Sequence, residues 1–390
     1  MWVKHRKVAL LVSLCNVLIL TLLSYILNNQ PLFTGEDLNQ FAWIQVLKNK
    51  LGIENKVDKL EVLFVNIAYD KQLIELTDDY GMPVGNIDIT DRSKLLSLLQ
   101  MLHRTNRYAY IFLDVRFEKG YNVPSIDSLL FAEIGSIRNI VVANHRGIEI
   151  ADKSLLSKTA ISDYDATIVA TNFVRYRYSY DTLYSMPLYA YMELTDKTIN
   201  RHWLFYTCDG KLCYNSLFVD FPVEDFNEFG ENGEKAYYNM GSDLLDNYSD
   251  EDFAMLTEGK FIVIGDMIED MHDTYSGPKP GSVITYYAFQ SLMEGKHFVR
   301  LWLIMFLAVV FFLISLSQFS HKSIWERIPF VRKSKSKLLH FILSFAEYTL
   351  LLSIIVVVLN LFWNVSTSIF VPSIYFAIQK VIINYKRTTI

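Results

Sequence analysis

The run VALLVSLCNVLILTLLSYIL, Val8 to Leu27, holds twenty residues without one charge. That length matches a hydrocarbon core of about 30 Å. Its exit, SYILNNQP, lacks the small-x-small pattern of a cleavage site. The run therefore predicts an uncleaved membrane anchor, and it divides the rest of the chain between two solvents. Further apolar runs cover Leu301 to Phe319 and Leu338 to Trp363. A fourth, Val365 to Ile383, is interrupted by Pro372, Gln379 and Lys380, which a membrane helix tolerates where neighbours satisfy the freed backbone groups.

Lys and Arg beside the runs set the expected orientation. Lys4, Arg6 and Lys7 precede the first run, Lys322 to Lys337 supply six bases between the second and third, and Lys386 and Arg387 follow the fourth. Four crossings put all three clusters on one side, so both termini are expected in the cytoplasm of a bacterial cell. The inner membrane then carries a multi-pass protein with its large domain in the periplasm. The expected map is a tip and anchor at 1–27, a juxtamembrane helix in 28–57, an α/β domain at 58–298, and three further spans with a basic loop and tail at 299–390. Most of the 42 acids fall in 28–298. An acidic outer domain offers no surface for nucleic acid.

Within that domain, apolar stretches at Leu60 to Ala68, Tyr108 to Asp114, Asn139 to Ala143 and Lys260 to Gly265 read as buried strands. Helical spacing alternates with them: 91–104 begins at Thr90 or Asp91 as cap, a second helix runs from Ser125 to about Ile134, and a third spans Ser282 to Glu294. Strand and helix in alternation predict a mostly parallel sheet in a three-layer αβα arrangement. Tyrosine-rich alternation in 166–220 predicts an antiparallel insertion. There, Cys208 and Cys213 flank the hairpin signal Asp209-Gly210, and in an oxidising compartment the two are expected to be bonded.

Ligands of open parallel sheets gather outside the carboxyl ends of the strands. Asp70, Asp114, Asn144, His145, Asp266, Asp270, His272 and Asp273 follow those ends. The same residue types cap helices and form turns, so two readings stand side by side, a ligand pocket and structural capping. Asp114 and Asp266 are also oxygen ligands suited to a hard cation. No spacing here matches a metal motif, a phosphate loop, a nucleophile elbow or a dinucleotide fingerprint, so neither metal, cofactor nor catalysis is expected. Inside the membrane, Glu347 lies about 13 Å into its span at 1.5 Å per residue. Asn16 is near the same depth, with Lys380 within reach, so the three are candidates for a switchable contact or for a structural staple.

FVNIAYDKQLI, YIFLDVRFE and GKFIVIGDMIEDMHDTYSGPKPGSVITYYAFQSLMEGK, with one span before the domain and three after it, resemble the second type of cyclase- and histidine-kinase-associated sensory extracellular (CHASE) domain. That resemblance implies an extracytoplasmic input domain of a bacterial receptor. Only NYKRTTI follows the fourth run, so the expected output lies in a separate cytoplasmic or membrane partner. Homo-oligomerisation is left open. A docking subunit of an envelope complex is the alternative reading, and a metal-dependent hydrolase the second alternative.

Overall fold

A computed structural model describes residues 2–29, 35–51, 60–77, 80, 82–163, 175–180, 182–222, 226–230, 233–320, 336–363 and 367–388. The chain opens with helices α1 (Trp2–Asn28) and α2 (Gly35–Lys50). It continues through β1 (Val62–Asn66), β2 (Lys71–Thr77), β3 (Pro83–Thr90), α3 (Arg92–Thr105), β4 (Tyr110–Leu113), α4 (Pro124–Ser136), β5 (Ile140–Asn144) and β6 (Thr159–Ile161). An insertion supplies β7 (Arg175–Arg177), β8 (Ser179–Tyr180), β9 (Leu183–Tyr184), α5 (Met186–Thr195), β10 (Ile199–Arg201), β11 (Tyr206–Cys208), β12 (Lys211–Cys213) and β13 (Ser216–Phe218). The domain closes with β14 (Tyr238–Asn239), α6 (Asp250–Thr257), β15 (Phe261–Gly265), β16 (Met271–Thr274), β17 (Gly277–Pro280) and α7 (Gly281–Met293). Helices α8 (Leu301–Ser320), α9 (Lys337–Trp363) and α10 (Phe370–Thr388) follow.

Six strands form one parallel sheet in the order β14-β1-β15-β4-β5-β6. Its strands are short apolar runs because both faces are covered. Phe64, Phe112, Val141 and Val263 point into a core with α5 and α7, while Leu63, Val65, Ile111 and Ile264 point into another with α3, α4 and α6. The expected cap of α3 forms at Asp91, which accepts from the amides of Ser93 and Lys94 at 3.0 Å, and Ser249 caps α6 likewise, accepting from the Asp252 amide at 3.2 Å. Gly265 lets α7 start against the sheet, since a Cβ there would fall 2.7 Å from the Ser282 Cβ.

The insertion is antiparallel, as its alternation predicts, in sheets β10-β11-β12, β13-β7 and β8-β9. Asp209 and Gly210 turn the β11–β12 hairpin with φ of 49° and 72°, the left-handed pair of a tight hairpin turn. The expected bond between Cys208 and Cys213 is absent, and both are buried free thiols. The register is the reason. Cys208 faces Lys211 and Cys213 faces Tyr206, so the cysteines are diagonal neighbours. Diagonal positions lie about 7–8 Å apart, beyond the usual reach of about 6.8 Å for a bridge.

In the sequence, Gly81, Pro83 and Gly85 and the Pro-Gly stretch after Asp270 read as loops. Pro83 and Gly85 instead lie in the return strand of the β2–β3 hairpin, and the residues after Asp270 form the hairpin β16–β17.

Three helical stretches, Lys7–Asn28, Leu301–Phe319 and Lys337–Leu361, are long and apolar enough to cross a membrane among the described residues. The fourth expected run is shorter, because α10 begins only at Phe370 and its apolar part ends at Asn384. Leu20, Phe311, Leu352 and Phe376 bring α1, α8, α9 and α10 into one apolar core. The domain is tied to this bundle. Arg175 donates to the Asn28 carbonyl at 2.6 Å, Asn29 accepts from the Asn215 amide at 2.6 Å, and Gln45 of α2 donates to Asn360 at 3.1 Å.

Candidate functional site

Parallel pairing aligns the carboxyl ends of β1, β15, β4, β5 and β6 along one edge, and a cavity of about 750 Å³ opens there. Asp114 follows β4, His145 follows β5, Ser162 and Asp163 follow β6, and Asp266 follows β15, all of them lining it. The β2–β3 hairpin forms a wall through Lys71, Asp88 and Thr90, and the first turn of α7 closes the other side through Gly281, Ile284 and Thr285. Tyr176, buried on β7, lines it from the insertion.

Most charges around this cavity are matched. Asp163 accepts from His145 Nδ1 at 2.6 Å, from the Arg146 amide at 2.9 Å and from Arg146 Nε at 3.0 Å. Burial raises the Asp163 carboxyl, but those donors outweigh it and leave the group below the ordinary carboxylate range. The Arg146 guanidinium also lies over the Tyr180 ring at 4.3 Å. His272 pairs with Asp270 at 3.1 Å. Asp266 accepts from the amides of Ile268 and Glu269 at 3.0 and 2.8 Å and pairs with Lys71 at 3.1 Å.

Asp114 is different. Its nearest hydrogen bond, from Ser162 Oγ, is 3.5 Å long, and among the described residues it forms no ion pair. Burial, reinforced by the nearby Asp270 charge, pushes its carboxyl up to about 6, against the opposing pull of His145, Arg116 and Ser162. A carboxyl of this kind can accept a charged donor or exchange a proton near neutrality.

Of the residues expected at the strand ends, Asp114, His145, Asp266, Asp270 and His272 line the cavity. Asp70, Asn144 and Asp273 do not. Asp70 is buried against Lys94, Asn144 accepts from the His145 amide at 2.9 Å, and Asp273 is an exposed residue of β16. The sequence reading missed Lys71, Arg116, Arg146, Asp163 and Tyr176. Arg116 and Arg146 each stand two residues beyond a strand-end polar residue, and that spacing is the signal which marks them. Among the described residues no three His, Cys, Asp or Glu side chains converge to hold a metal ion.

Within the helical part, Asn16 donates to Ser315 at 2.5 Å and to Gln379 at 2.8 Å, and accepts from Tyr375 at 2.7 Å. Lys380 donates to the Gln318 carbonyl at 3.3 Å. These two expected residues therefore join a polar seam among α1, α8 and α10, while Glu347 is half-buried on α9. The basic loop between α8 and α9 lies outside the described residues from 321 to 335. Comparison with known proteins returns no match to a family model, a curated protein or a solved structure.

Proposed function

We propose that the chain is an extracytoplasmic sensor or accessory subunit of a bacterial inner membrane, with no catalysis of its own. Its domain binds a small periplasmic ligand and relays the bound state through the membrane helices to a separate output partner. The observation that carries this reading is the strand-end cavity of about 750 Å³, a volume within the range of roughly 300–1,000 Å³ typical of ligand sites.

A physical route from cavity to anchor supports the relay. Tyr176 lines the cavity, and its neighbour Arg175 holds the Asn28 carbonyl at the end of α1. A ligand that moves Tyr176 therefore pulls on the anchor's exit. In this reading the domain is a three-layer αβα sandwich of the second CHASE type, which its closing segment resembles. The shorter α10 crosses with the other three helices, and the Lys and Arg clusters hold both termini in the cytoplasm.

Tyr176, Tyr178, Tyr180 and Tyr191 are buried, so they offer no aromatic docking face.

The test has two arms. Full-length protein in nanodiscs is incubated with the small-molecule fraction of a bacterial envelope extract, and retained compounds are identified by mass spectrometry. A compound held by the parent and lost by Ile284→Trp, which pushes an indole into the cavity wall, is expected. No difference between the two proteins overturns ligand binding. A membrane-impermeant maleimide should label Met255→Cys on intact spheroplasts, and labelling only after lysis overturns the orientation.

A further inference from the structure

The cavity's lining is unbalanced. Among the described residues Asp88, Asp114, Glu118, Asp163, Asp266, Glu269 and Asp270 line it with Lys71, Arg116 and Arg146 as the fixed cations. Each of those bases already has a carboxylate: Lys71 has Asp266, Arg116 has Glu118 at 3.9 Å, and Arg146 has Asp163. Among the described residues Asp88 and Asp114 form no ion pair, and of the two Asp88 is exposed to solvent while Asp114 is partly buried at the end of β4, inside the sheet. Acidic clefts with low-dielectric walls focus a negative potential, and a partly buried carboxylate without a counter-ion is unfavourable until a positive group reaches it.

We propose that the cavity takes an organic cation, a ligand bearing an ammonium or guanidinium group that sits on Asp114, with the Tyr176 and Tyr121 rings beside it. Tyr176 and Tyr121 both line the cavity, and aromatic faces attract such cations. The absence of a three-ligand cluster among the described residues favours an organic cation over a metal ion. This inference rests on the reading of the cavity as a binding site and narrows it to one chemical class.

The groups facing Asp114 are His145, Arg116, Asp270, Ser162 and Tyr176. A cation needs the ionised carboxylate, and with Asp114 titrating at about 6 binding should fall about tenfold between pH 7.5 and pH 5. The experiment is equilibrium binding to the full chain in detergent of putrescine, agmatine, citrate, glucose and calcium. Saturable binding of an amine is expected, weakened at least tenfold by Asp114→Asn and no more than about threefold by Asp88→Asn. Amine binding that is flat from pH 7.5 to 5 in the unaltered chain overturns the inference without relying on any variant, and so does calcium binding that depends on Asp114. Should citrate or glucose bind while amines fail, the cation class is overturned and the binding site stands. If the amines fail and no extract compound is retained in an Ile284-dependent way, both fall together.

A separate observation concerns the domain's underside. Trp203 is 92 % exposed, beside the exposed Leu204 and Phe205 in the β10–β11 loop. Three residues on, the Tyr206 amide donates to the Tyr25 hydroxyl at 3.0 Å, and Tyr25 belongs to the last turn of the apolar stretch Lys7–Asn28. Three residues span at most about 11 Å, so the loop lies at the level where the first helix leaves the bilayer. Exposed bases Arg201 and Lys211 lie on the adjoining strands β10 and β12, and the exposed Arg300 immediately precedes α8. We infer that this loop rests in the lipid interface, its indole among the headgroups in the manner of an aromatic belt.

Nanodiscs with lipids brominated near the headgroup should quench parent fluorescence more than that of Trp203→Phe. Equal fractional quenching overturns the inference. A nitroxide on Trp203→Cys, read by oxygen and nickel accessibility, gives an independent check. Accessibility equal to that of a spin label on Met255→Cys overturns it as well.

Discussion

Two strand ends of the same sheet treat the same residue type in opposite ways. After β1 the chain reaches Asp70, which is buried and fully engaged. It accepts from Lys94 Nζ at 2.6 Å and from the Gly241 amide at 2.9 Å, and its carbonyl accepts from the Asp91 amide at 2.8 Å. After β4 it reaches Asp114, whose one hydrogen bond among the described residues is 3.5 Å long. Asp70 knots the start of α3 to the segment before α6, so its charge belongs to the fold. Asp114 leaves its charge facing a cavity, where the proposed ligand would meet it.

The largest effect that separates the two is on stability. Asp70→Ala strands the buried Gly241 donor and the Lys94 amine, and losing a buried charged acceptor costs about 2–3 kcal/mol. Chemical or thermal unfolding of the detergent-solubilised protein should show that loss. A variant that unfolds with the parent would mean that Asp70 is no knot, and the contrast with Asp114 would dissolve.

Asp114→Asn should move stability the other way. The folded carboxyl titrates at about 6, against an ordinary value of 3.8. Between those limits the folded chain keeps a proton that the unfolded chain has released, so stability falls as pH rises through the window. Above about 6 both states are ionised and the full penalty is present; below 3.8 both are protonated and it vanishes. Asparagine never ionises, so the variant should gain on the order of 1–3 kcal/mol at pH 7.5 and nothing near pH 3.5. A gain that is the same at both pH values would assign the effect to packing and not to charge.

This contrast was only half legible in the sequence. The parallel strands were, because short apolar runs between capped helices admit few arrangements, and so was the edge where their polar ends collect. Asp70 and Asp114 look alike there, each an acid beyond a buried strand, since the difference lies in Lys94 and Gly241, which are brought together only by folding. The β2–β3 wall was hidden by Gly81, Pro83 and Gly85, which read as loop although the return strand tolerates Pro83 and Gly85 at an edge. Asp163 follows a strand of three residues, too short for any periodicity to announce. The cysteine pair shows the same limit, because proximity in a hairpin was readable and the diagonal register was not.

Asp266 lies between the two cases and gives the smallest expected effect. It lines the cavity as Asp114 does, yet its Oδ1 closes a turn on the amides of Ile268 and Glu269, and Oδ2 pairs with the partly exposed Lys71. Burial raises this carboxyl, but the two amides and Lys71 outweigh it, so the group stays below the ordinary range. Its contribution is therefore present above the ordinary value and lost as pH falls through the depressed one. Asp266→Asn keeps an acceptor for the turn and removes only the ion pair, which at such exposure contributes under about 1 kcal/mol. The loss should shrink further in high salt and close in acid. A drop matching that of Asp70→Ala would place Asp266 with the fold, and a gain like that of Asp114→Asn would place it with the unmatched charge. A small, salt-sensitive loss would make it a rim residue that shapes the cavity through its turn, while Asp114, after β4, presents a carboxyl that among the described residues has no ion pair.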